Sequence, residues 1–283
     1  HNSFSVIRIK LAFNQNYIKN VFNFILPVAV TLFLQWGQTA SFRLIVEDLY
    51  AVETLAFIAV GMALSGAVFS AIESLATQFY MPLYLKRITN TSLKVRTDTW
   101  NEIASIMIPI YIGVAVYVFV FSPYIATILV AEKFYSAHIY TMIGAVIELF
   151  RVINNLVYQV SQSELNTKKT MLPYFLGFGT MVLGLYSIDV SEALWKVPVI
   201  LAVSYFITLF FMYYKMKTLL SIRLDWKQLM KAVLISVPMM GVFLLNIDKN
   251  FMNSILIIII GGIYLVSVFY FLLNDKIKSM SVL

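Results

Sequence analysis

Long apolar runs, broken only by short charged stretches, recur along the whole chain. A helix needs about 20 mostly apolar residues to cross the hydrocarbon of a bilayer. Eight segments meet that length: 21–42, 55–80, 103–121, 138–161, 170–188, 194–214, 229–246 and 252–273. The seventh is the weakest, uncharged only from Ala232 to Ile247. The third runs on past Ser122-Pro123 into Tyr124–Val130, which reads as a short interfacial piece after a proline break. The runs are continuous rather than alternating, so helices are expected and not barrel strands. Composition supports this solvent. The chain is 60% hydrophobic and 12% charged, against about 45–50% and 25% in soluble domains. The expected fold class is therefore an all-α integral membrane protein of about eight transmembrane helices.

The basic residues sort by loop. With the N-terminus inside, the inner segments carry Arg8, Lys10 and Lys19; Lys86, Arg87, Lys94 and Arg96; Lys168 and Lys169; Lys215, Lys217, Arg223, Lys227 and Lys231; Lys276 and Lys278. The outer loops carry Lys133, Lys196 and Lys249, together with Glu47, Asp48, Glu53, Glu132, Asp189, Glu192 and Asp248. This is the positive-inside pattern, and it places both ends in the cytoplasm. It also accounts for the net charge of +7 without a nucleic-acid partner. The longest loop expected is 81–102, inside. The longest outer loop expected is Leu44–Thr54, too short for a soluble catalytic domain. The absence of cysteine excludes disulfides and thiolate chemistry. No hydrolytic triad, metal cluster, phosphate loop or cofactor motif is visible, and no catalytic residue, metal ligand or cofactor is assigned. His138 reads as structural. Gly177, Gly179, Gly261 and Gly262 read as helix-packing sites.

Ionisable and amide groups inside spans mark function or pairing, because each charge costs roughly 2.5–3.5 kcal/mol to insert. The fourth span places Glu148 and Arg151 three apart on one face. Gly144, Asn155, Tyr158 or Gln159, and Gln162 continue that face. Two readings are open: a structural ion pair, or an Arg151 that lends positive charge to a cavity for an anionic substrate. The first span carries Thr31, Gln35, Gln38, Thr39 and Arg43 along one face, with Pro27 as a possible kink. Arg43 reads either as an interfacial arginine paired with Glu47 or as a second substrate cation. The second span carries Glu73, expected to pair with a basic group on another helix or to act as a proton or cation site. Its Ala63, Ala67 and Ala71 form a small-residue row suited to close packing.

The order of these features resembles bacterial polysaccharide (O-antigen-type) flippases of the multidrug/oligosaccharidyl-lipid/polysaccharide exporter superfamily. The motifs carrying the resemblance are Leu26-Pro27, Ser41-Phe42-Arg43, Glu53–Gly61 and Met81-Pro82-Leu83-Tyr84-Leu85-Lys86-Arg87. Further along come Ser122-Pro123, Ala131 to Ala137, the helix holding Arg151, Asn154-Asn155, and Thr167-Lys168-Lys169. The resemblance covers about residues 20–190. One departure stands out: the acidic member of the family's Asp-Arg pair is Phe42 here. The resemblance implies a two-lobed transporter of twelve to fourteen helices. Residues 1–20 would be a cytoplasmic linker following a six-helix N-terminal lobe, 21–214 the C-terminal six-helix lobe, and 215–283 two additional helices. It implies a lipid-linked oligosaccharide, on an undecaprenyl-pyrophosphate carrier, as substrate in the bacterial inner membrane. Membrane lipids and the N-terminal lobe are the other expected partners. Arg43, Arg151, Gln35, Gln38, Asn155 and Gln159 become substrate-binding candidates, and Glu73 and Glu148 ion-coupling or ion-pair candidates. The alternatives are a multidrug exporter of the same superfamily, or a membrane-embedded polymerase or glycosyltransferase.

Overall fold

The computed structural model describes residues 15–49, 52–188, 194–245 and 247–281. Within them the chain is helical and contains no strand. The helices are α1 (Gln15–Trp36), α2 (Phe42–Leu49), α3 (Val52–Ile88), α4 (Leu93–Leu129), α5 (His138–Ser163), α6 (Met171–Ser187), α7 (Lys196–Lys217), α8 (Trp226–Ser236) and α9 (Phe251–Ser281). A π-helical turn, Gly37–Ser41, joins α1 to α2 without a break. Tight 3-10 turns precede α5 and α6, and another continues α8 from Val237 to Leu244.

Seven of the described helical segments are long and apolar enough to cross a membrane. The eighth span expected, α6, has 17 residues, close to the lower limit for crossing. The surface matches a lipid solvent: Phe79 and Phe271 are 77% and 80% exposed. In water such side chains would forfeit about 1.5–3 kcal/mol each. The protein is thus an all-α, multi-pass membrane protein of about eight spanning helices.

α5 lies at the centre, packed on α3, α4 and α7. α4 is the most buried of the candidate spans and α9 the least. α1 packs on α6 and the turn before it, α6 packs on α7, and α9 and α8 pack on α4. The close approaches use glycine. A Cβ on Gly61 would lie 2.5 Å from the Ala137 carbonyl oxygen, and one on Gly144 would lie 2.3 Å from Ser65 Oγ. These two glycines let α3 and α5 meet.

Several expectations change. α4 does not stop at Ser122-Pro123, so Tyr124–Leu129 is the last part of the span and not an interfacial piece. Proline removes the N–H that would reach the carbonyl four residues back. Here that carbonyl is Phe119 O, and it accepts the Ser122 hydroxyl at 3.0 Å. The 81–102 loop shrinks to residues 89–92, because α3 runs on to Ile88 and α4 begins at Leu93. Their charged ends pair instead of marking a loop: Arg87 binds Glu102 at 2.8 Å, and Arg96 holds both oxygens of Glu164 at 2.8 and 2.9 Å. The 44–54 loop is mostly helix too. Ala63, Ala67 and Ala71 are exposed; the packing face of α3 carries Gly61 and Ser65 instead. Gly177 and Gly261 are close-packed as expected, whereas a Cβ on Gly179 would meet nothing within 4 Å. α1 begins at Gln15, inside the segment expected as linker, and residues 1–14 lie outside those described.

Candidate functional site

α5 carries its polar residues at spacings of three and four, so they form one stripe along the helix. α3 runs beside it and brings Glu73 to the middle of that stripe. Arg151 is the hub. Its Nε donates to Glu148 at 2.6 Å and its Nη1 to Glu73 at 2.8 Å. Asn155 Nδ2 donates to the other oxygen of Glu73 at 2.7 Å. Two carboxylates therefore share one guanidinium, and the group carries a formal charge of −1. Glu73 lies within the candidate span Leu55–Ile88.

The network is neither fully sealed nor fully satisfied. The side chains of Arg151, Glu73 and Glu148 retain 17%, 21% and 13% of their exposure. Arg151 Nη2 is buried and makes no hydrogen bond among the described residues. Gly66 leaves room beside Glu148, with a Cβ position 3.6 Å from its Oε1. One turn further along α5, Gln159 donates to Tyr80 at 2.5 Å. On the adjoining face Asn154 donates to Tyr174 at 2.8 Å, while its own carbonyl oxygen is buried without a partner among the described residues.

The residues expected to bind substrate divide into two groups. Arg151, Asn155 and Gln159 share the α3–α5 seam with Glu73 and Glu148. Gln38 is elsewhere: it is buried between α1 and α7, donating to Ser204 at 2.6 Å and Thr208 at 3.0 Å. Gln35 is half-buried on α1. Arg43 is exposed and makes no ion pair with Glu47 among the described residues; its guanidinium lies 5.8 Å from the Phe42 ring centroid. The expected face Thr31–Gln35–Gln38–Thr39–Arg43 is split by the π turn. Its i→i+5 pattern adds one residue to the helical repeat, which turns Gln38 inward and Thr39 and Arg43 outward. Thr31 is buried and bonds Thr170 at 2.8 Å.

Sequence reasoning missed the Gln38–Ser204–Thr208 cluster. Its signal was a pair of hydroxyls four apart in an apolar span. It also missed Tyr80 and Tyr174 as the partners of Gln159 and Asn154. His138 bonds the Tyr135 carbonyl through Nδ1 at 2.8 Å. Comparison with protein families, characterised proteins and solved structures finds no match to this chain. The functional reading therefore stands on the network and on the sequence resemblance.

Proposed function

We propose that the chain is a lobe, with two additional helices, of a flippase that moves lipid-linked oligosaccharide across the bacterial inner membrane by alternating access. It is no enzyme in this reading; it binds, reorients and releases, with both ends in the cytoplasm. The observation that carries the proposal is the Glu73–Arg151–Glu148–Asn155 network between two candidate spans. Charges inside spans are expensive and cluster on substrate and ion pathways. Arg151 Nη2 has no partner among the described residues and all three ionic side chains stay partly open, which leaves the network accessible to an incoming anion. The substrate class comes from the resemblance: a pyrophosphate needs a cation, and sugars need neutral partners such as Asn155 and Gln159. Arg151 meets such an anion only by exchanging one of its carboxylates for it, which gives Glu73 and Glu148 the role of holding the arginine between cycles.

The formal charge of −1 favours a second reading, a cation-coupled exporter of the same superfamily. Two measurements separate the proposals. Arg151→Ala is expected to abolish polysaccharide export in a flippase-deficient strain. The uncharged variant Glu73→Gln/Glu148→Gln/Arg151→Gln is expected to accumulate in the membrane and still fail. Normal export by the triple variant overturns the flippase assignment. Loss of drug efflux, with polymer export intact, establishes the second reading.

A further inference from the structure

At the end of the molecule that carries the basic loops, a cavity of about 500 Å³ opens between the start of α4 and the segment joining α7 to α8. Lys94, Thr97, Asp98 and Asn101 line one side, and Ser221 and Arg223 the other. The wall is fixed: Asn101 accepts the Arg223 backbone N–H at 2.7 Å and donates to the Ser221 carbonyl at 3.4 Å. Neighbouring basic residues are committed, Arg87 to Glu102 and Arg96 to Glu164. Lys94 and Arg223 make no ion pair among the described residues. Thr97 is nine-tenths buried, lines the cavity, and makes no side-chain hydrogen bond within the described protein.

Leu93 lines the cavity and is 53% exposed, and Trp226, which opens α8 three residues beyond Arg223, is 71% exposed. An apolar residue and an exposed tryptophan beside lysines mark the headgroup layer. A pocket of two uncommitted cations at that depth suits a phosphate from the cytoplasmic leaflet, whose anionic lipids attract basic clusters. Asp98 adds an acceptor that the phosphodiester itself cannot use but a glycerol hydroxyl can.

We infer that this cavity is a specific site for an anionic phospholipid headgroup, the phosphate held by Lys94 and Arg223 and the headgroup hydroxyls by Asp98. It is independent of the transport reading. The test is native mass spectrometry of the detergent-solubilised chain with phosphatidylglycerol or phosphatidylcholine. The wild type is expected to retain phosphatidylglycerol roughly 30-fold better, about fivefold for each cation. Lys94→Gln/Arg223→Gln is expected to lose that preference, while Lys133→Gln/Lys249→Gln, at the opposite end, keeps it. Equal retention by the Lys94/Arg223 variant and the wild type overturns the site. Displacement of the lipid by millimolar inorganic phosphate overturns the lipid as its source.

Discussion

Arg151 is the only cation paired with Glu73 and Glu148 among the described residues. Removing it alone strands both, and breaking a buried pair costs about 3–5 kcal/mol. Arg151→Gln is therefore expected to lower thermal stability in detergent strongly. Neutralising Glu73 and Glu148 as well is expected to recover most of the loss, because the strain is uncompensated charge and not lost volume. Asp225 offers the contrasting case outside the membrane. Burial raises its pKa, but the Gln228 backbone N–H and Lys276 outweigh this and hold it below the usual 3.8. A depressed carboxylate stabilises the fold above its unfolded value, and that contribution vanishes as pH falls through the folded value. The tether between the start of α8 and α9 is thus expected to weaken below about pH 4. Hydrogen exchange at the C-terminal end of α9 checks this, and Asp225→Asn removes the pH dependence.

The elements show where sequence patterning carries information and where it stops. The α5 stripe is legible because Glu148, Arg151, Asn155 and Gln159 follow the helical repeat. The partner of Arg151 on α3 is not, since it comes from 78 residues away and only packing selects Glu73 over another carboxylate. The π turn is invisible for a different reason: one extra residue leaves no compositional trace. The lengths of α3 and α4 were misread because Arg87 and Arg96 look like loop charges until Glu102 and Glu164 meet them. Close packing yields a paired prediction within α6. A methyl on Gly177 would fall 1.8 Å from Thr208 Oγ1. Gly177→Ala is therefore expected to cost at least about 1–3 kcal/mol by overpacking, and to disrupt the Gln38 cluster. Gly179→Ala, facing open space, is expected to be neutral or slightly stabilising through helix propensity. Thermal melts of the two variants check the contrast. Ser122→Ala would leave Phe119 O unpartnered in α4, at about 1–3 kcal/mol.

At the scale of the whole molecule, the cysteine-free chain suits a topology test without background. Single cysteines at Glu132 and Thr91 occupy opposite ends of α4. With the basic loops inside, an impermeant maleimide is expected to label Glu132→Cys in intact cells and Thr91→Cys only after lysis. The reverse pattern would invert the orientation. The packing order, with α5 surrounded and α9 peripheral, also bears on how the molecule is made. Glu73 is synthesised 78 residues before Arg151. At about 5–20 residues per second, the interval is roughly 4–16 s. During that time α3 carries its carboxylate without Arg151 to meet it. The ion pair seen in the finished structure thus also sets a timetable: α3 completes its placement only when α5 arrives.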